Sequence, residues 1–219
     1  MKHWMKITVL QPNFFPFKSY FDLIGKVDKV IFADDSFYNA KSWVNRTALK
    51  RGDKKFIFKV GVNSKGDSDP ISELEINAKN WKKNFLRMIA SEYKDSINFE
   101  KVFPVIKEVV YLPTDNMSHI SAYSIFRISQ EFFRHKTQFS LASKRHKNIR
   151  GSFRNKIIEI CKRERAKEFY TFSMYKESFL SDYFIKNDIS ISYFSSPNGS
   201  IYSCIDFLMN DLDLVQKTV

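Results

Sequence analysis

Glycine is scarce in this chain, 6 in 219 residues, and no two of them fall in a phosphate-cradling pattern. Walker-type loops and G-x-G-x-x-G turns need backbone that approaches phosphate with no side chain in the way, so both kinds of chemistry lose their basis. Cysteine is scarcer still. Cys161 and Cys204 are too few and too far apart for a disulfide framework or a zinc motif. His119, His135 and His146 share no metal spacing with one another or with a cysteine, so no metal site is expected. No run approaches 18 apolar residues, and MKHWMKITVLQPN has no signal-peptide core, so a cytoplasmic protein is expected.

Aromatic residues and positive charge are plentiful. With 22 Phe, 10 Tyr and a hydrophobic fraction of 43%, the chain has the means to bury a sizeable core. The formal charge of +12 attracts polyanions: nucleic acid, an acidic membrane face or a phosphorylated substrate. It is uneven, since Lys144 to Lys167 holds ten Lys/Arg against two Glu. A solvated basic helix is the bland reading of that segment; a tRNA backbone or an anionic membrane is the sharp one.

Everything hangs on residues 6–35. Ile7 to Leu10 reads as a strand, and QPNFFPF then breaks regular structure through Pro12 and Pro16. Tyr20, Phe21, Leu23, Ile24 and Val27 recur at helical spacing behind Ser19, a candidate N-cap, and a second apolar run ends in Asp34-Asp35. This is one βαβ unit with parallel strands, and the ligand crevice of such sheets lies at their carboxyl ends.

After Asp35 comes a β excursion, with a turn at Arg51-Gly-Asp-Lys, a strand over 55–62 and another over 71–76. Helices are expected over 80–93, 99–112 (with Pro104 tolerable only in the first turn) and, capped by Ser118, up to about Phe133. The last third alternates: strands 138–142, 168–172 and 189–194, with helices 153–165, 178–186 and 204–210. The expectation is one α/β domain over 1–219, a parallel, Rossmann-like sheet of about five strands with an insertion at about 36–135. Strand order is not readable.

QPNFFPFKSYFDLI, then VDKVIFADDSFY, then WVNR, resemble the N-terminal signature of the WbqC-like protein family. There a Gln-Pro-x-Phe/Tyr-x-Pro loop precedes Gly-Tyr-Phe, an Asp-Asp-x-x-Tyr/Phe step follows and an Asn-Arg pair comes after. Ser19 stands where that family has Gly, and Thr47 where Asn is common. The resemblance extends weakly through NWKKNFLRMIASEY, IIEICKRERAKEFYTF and SCIDFLMND. It implies a product of O-antigen and surface-polysaccharide (lipopolysaccharide) clusters, for which glycyl or related acyl transfer to an amino sugar has been proposed. The opening unit is also similar to nucleotidylyltransferases, but Phe15-Pro16-Phe17 stands where those carry a His-containing loop.

The candidate site residues divide by chemistry. Gln11, Asn13 and Tyr20 bring amide and hydroxyl groups to the strand–helix junction, where free N–H groups suit an anion. Phe15 lies in the same loop and Tyr38 closes the acidic step; both join the substrate-binding set. Asp34 or Asp35 is the candidate general base for an amine proton. Trp43, Asn45 and Arg46 combine a stacking surface, an amide and a planar cation fit for phosphate or carboxylate. Ser143 and Arg154, with Arg145 and Arg150 near them, are candidates for the diphosphate of a nucleotide-linked amino sugar. The activated donor is open: aminoacyl-tRNA or an ATP-derived acyl group. The rival readings are a non-catalytic basic scaffold of the polysaccharide machinery, a nucleotidylyltransferase-like enzyme and, last, a nucleic-acid binder.

Overall fold

The computed structural model describes residues 4–66, 68–149, 151–179, 181–196 and 201–212. In chain order they form β1 (Met5–Leu10), α1 (Lys18–Ile24), β2 (Lys29–Phe32), β3 (Arg46–Arg51), β4 (Lys54–Lys59), β5 (Val62–Asn63), a 3₁₀ turn (Ile71–Glu73) and β6 (Glu75–Ile76). Then come α2 (Trp81–Tyr93), α3 (Phe99–Val110), α4 (Met117–Glu131), β7 (Gln138–Leu141), α5 (Ala142–Arg145) and α6 (Phe153–Arg163). β8 (Ala166–Phe172), a second 3₁₀ turn (Ser173–Tyr175), α7 (Ser181–Ile185), β9 (Ser190–Phe194) and α8 (Cys204–Asn210) complete the series.

Residue contacts divide the chain into two compact units. The first takes 1–11, 19–34 and 135–199; the second takes 12–18, 35–134 and 200–219. The stretch expected as an insertion forms the body of the second unit. No helix among the described residues is long and apolar enough to cross a membrane.

The first unit is built on a five-stranded sheet in the order β7-β2-β1-β8-β9, parallel throughout. This is the α/β, parallel-sheet class expected from the sequence. Ile7, Val9, Ile31 and Phe169 share one face, because alternate residues of a strand point the same way, and they pack with Ile157, Ile158, Ile160 and Cys161 of α6 and Phe184 of α7. Cys161 is fully buried, as its place on an apolar helix stripe predicts, and burial pushes its thiol up to about 12.

In the second unit α2 buries Trp81, Phe85, Leu86, Ile89 and Tyr93, the stripe its spacing predicts. Phe85 stacks on Phe15 at 5.7 Å and lies 4.8 Å from Phe58. Fully burying one such ring stabilises the fold by about 1.5–3 kcal/mol. Arg127 of α4 clamps Glu108 of α3 with two hydrogen bonds, 2.7 and 3.0 Å. β3 and β4 form an antiparallel hairpin across Gly52, whose φ of +56° is the left-handed conformation such a turn requires.

Several local expectations are corrected. α1 begins at Lys18, so Ser19 lies inside its first turn and does not cap it. Residues 71–76 do not make one strand: a 3₁₀ turn follows Pro70, and only Glu75–Ile76 pairs, with β5. Pro104 is the sixth residue of α3, beyond the first turn; the helix persists because Val102, Val105, Ile106, Val109 and Val110 are buried. Asn116, not Ser118, caps α4 by accepting the His119 N–H at 3.0 Å. Strand 138–142 stops at Leu141, the helix expected over 153–165 ends at Arg163, and the one expected over 178–186 shortens to Ser181–Ile185.

Candidate active site

Counted along the chain, the five sheet strands lie in the order third, second, first, fourth, fifth. The direction of winding therefore reverses between β1 and β8. In open parallel sheets the ligand crevice forms at that reversal, outside the carboxyl ends of the two strands.

Those ends are Leu10-Gln11 and Phe172-Ser173. The Tyr20 hydroxyl donates to the Gln11 carbonyl oxygen, and its ring lies 6.0 Å from that of Phe172. Burial, and then the neighbouring Tyr175, push the Tyr20 hydroxyl well above its ordinary pKa, so it stays a neutral donor at pH 7. Ser173 and Ser195 hydroxyls lie 2.6 Å apart, while Met174 and Tyr175 are 78% and 44% exposed. Phe172, Ser173 and Tyr175 were not foreseen, since only the strand order brings them beside Gln11. The signal available was the pair of hydroxyl residues Ser173 and Tyr175 in FSMY, leaving a strand.

Asp34 follows β2, the neighbour of β1; the Ala33 N–H bonds to the Leu10 carbonyl at 2.8 Å. Asp34 is fully buried, and its carboxylate accepts both the Ser143 N–H (2.9 Å) and the Ser143 hydroxyl. Two residues assigned separate roles thus form one fastening between the end of β2 and α5. Arg145 is occupied by Glu164 at 2.5 Å. Arg154 is exposed in the first turn of α6, whose cap is Ser152. Arg150 lies outside the described residues.

The proline-bounded loop is tied down in the second unit. Phe14 donates its N–H to the Trp43 carbonyl (2.9 Å), and Phe15 donates to Ser124 Oγ (3.3 Å). The Phe15 carbonyl accepts the hydroxyls of Thr47 (2.9 Å) and Ser203 (2.8 Å). Phe15 itself is buried, with a φ of +43° that a bulky residue adopts only when its surroundings impose it. Around it Phe14, Pro16, Phe17, Trp43, Arg46, Thr47 and Ala48 close on a space too narrow to admit water.

Other expected site residues sit in the same unit. Asn13 is half-buried, and its Oδ1 has no hydrogen-bond partner among the described residues. Asp35 is half-buried. Buried Tyr38 donates to Asn45 Oδ1 (3.1 Å), and Asn45 Nδ2 donates to the Val60 carbonyl (2.7 Å). The Trp43 ring is already engaged: Arg46 and Lys55 lie over it at 4.7 and 5.5 Å, and Phe17 meets its edge at 5.0 Å.

A hollow of about 300 Å³ opens at the amino ends of β2 and β7, lined by Gly25, Val27, Asp28, His135, Lys136, Thr137 and Gln138. It lies at the edge of the sheet away from Gln11 and Asp34. Burial holds the His135 imidazole below its ordinary pKa, hence neutral at pH 7.

A family model described as "WbqC-like protein family" matches residues 11–210. A protein of Mycobacterium tuberculosis described as "Uncharacterized protein Rv1507c" is 32% identical over 98 residues, which is 44% of this chain and 42% of that protein. The chain therefore spans less than half the length of that relative. No solved structure matches.

Proposed function

Since the chain belongs to the WbqC-like protein family, whose pattern runs through residues 11–210, we propose that it is a transferase of surface-polysaccharide assembly that acylates the amine of a nucleotide-linked amino sugar. The observation that carries this reading is the reversal of strand order between β1 and β8, with Gln11, Tyr20, Ser173 and Tyr175 at the carboxyl ends. The Ser173 and Tyr175 hydroxyls there suit phosphate and sugar oxygens without a P-loop.

In the reaction the amine nitrogen of the sugar attacks the carbonyl carbon of an activated acyl or glycyl group. A nitrogen–carbon bond forms, the carbon–oxygen bond to the donor breaks, and the donor oxygen leaves as a tRNA 3′-hydroxyl or an adenylate phosphate. The amine proton passes to a base and, with the tRNA donor, from that base to the leaving oxygen. Both Asp34 oxygens accept from Ser143, so Asp34 positions α5. Alignment of the reactants supplies much of the rate.

The test is label transfer from glycyl-tRNA, or from glycine with ATP, to a uridine diphosphate amino sugar. The reading requires labelled sugar whose yield falls in Tyr175→Ala, a substitution at a 44% exposed side chain. It is abandoned if neither donor gives product with any amino-sugar nucleotide that the chain binds.

A further inference from the structure

Three of the six residue pairs in the β3–β4 hairpin set one cation directly against another: Arg46 against Lys59, Lys50 against Lys55, Arg51 against Lys54. Between residues 46 and 59 six Lys/Arg stand against a single acid, Asp53. Like charges directly opposite each other destabilise a strand pair. Because a strand alternates faces, Arg46, Lys50, Lys55 and Lys59 share one face with Ala48 and Ile57.

The opposite face is neutralised in part, for Glu92 lies 3.3 Å from Arg51. On the first face Arg46, Lys55 and Lys59 have no carboxylate at ion-pair distance among the described residues. Trp43 sharpens the conflict by drawing Arg46 and Lys55 to one indole, and Arg46 Nε is buried there with no hydrogen-bond partner among the described residues. A local rule broken with no compensation inside the fold marks a functional surface.

We propose that this face, centred on Trp43, binds a compact phosphate-rich anion, with a diphosphate group as the fitting class. A polymer backbone would call for cations spread along the ribbon. Here two cations from opposite strands converge on one ring, which suits a group a few ångströms across. Arg46, its guanidinium carbon 4.7 Å from the indole centroid, presents its fork to two oxygens, and Lys55 adds a point charge. The site goes beyond the transfer reaction and does not rest on it.

Calorimetric titration of inorganic pyrophosphate into the full chain at low salt tests this. Arg46→Gln and Lys55→Gln should each weaken binding about tenfold, and Lys162→Gln, whose cation pairs with Glu159 at 3.3 Å, should leave it unchanged. Lys59→Glu should weaken binding and raise the midpoint of thermal unfolding together, because opposite charges then face each other across the hairpin. A purely structural role for these cations would not join those two effects. Should Arg46→Gln fail to fold, exposed Lys55 carries the test. Absence of pyrophosphate binding, or equal affinity in all variants, overturns the proposal. So does a single-stranded RNA oligomer that binds this face and is not displaced by pyrophosphate.

Discussion

Two basic regions of this molecule look alike in the sequence and differ in what their charges meet. Lys144 to Lys167 holds ten Lys/Arg, the hairpin 46–59 holds six. In the longer region Arg145 and Lys162 meet acids of the segment itself. Glu164 accepts from buried Lys29 at 2.7 Å and from Arg145 at 2.5 Å, with His146 Nε2 at 3.0 Å, and Lys162 pairs with Glu159. Arg163 donates to the Lys147 carbonyl. In the hairpin cations face cations. The lesson is that a count of charges along a sequence is not the charge available to a partner.

The largest expected effect separates these regions by stability. Glu164→Gln leaves Lys29 buried and unpaired, which should cost about 3–5 kcal/mol in urea unfolding. A loss below about 1 kcal/mol would mean that the Glu164 cluster is not held as described. Next is pH. Burial outweighs Glu164 and holds His146 below its ordinary pKa, and His135 is lowered by burial too. The unfolded chain therefore takes up protons first, and stability should fall as pH drops below about 6.5. Replacing His146 by Gln should flatten that slope; an unchanged slope sinks the assignment. At lower pH a second loss is expected. Burial pushes the Glu164 carboxyl up, but hydrogen bonds from Arg145 and Lys29 outweigh it, so its contribution holds above its unfolded pKa and disappears as pH falls through the lowered folded one.

Smaller effects belong to the hairpin and the surface. Lys59→Glu should stabilise the second unit by about 0.2–1 kcal/mol, and a destabilisation would show that Lys59 serves packing. Glu159→Gln, which breaks an exposed pair, should change the urea midpoint by less than about 0.5 kcal/mol.

Much of the fold was legible because it is written in local periodicity. The five sheet strands, the α2 stripe and the core place of Cys161 all follow from spacing along the chain. What was not legible is non-local. Asp34 and Ser143 are 109 residues apart, and nothing near either one signals the other. The place of Ser173 and Tyr175 beside Gln11 depends on β8 pairing with β1 rather than with β7. The cationic pairs of the hairpin emerge only once register is known; Arg46 was singled out, but Lys59 opposite it was not. Pro104 passed its expected limit because helix burial outweighed the local penalty.

The carboxyl edge between β1 and β8 is where we propose that a nucleotide-linked sugar sits. Calorimetric titration of a uridine diphosphate amino sugar into the wild-type chain and into Tyr175→Ala tests this directly, since Tyr175 is 44% exposed and its loss should leave the fold intact. We predict binding to the wild type that weakens about tenfold in the variant. Equal affinity in the two proteins, or no binding to either, would contradict it.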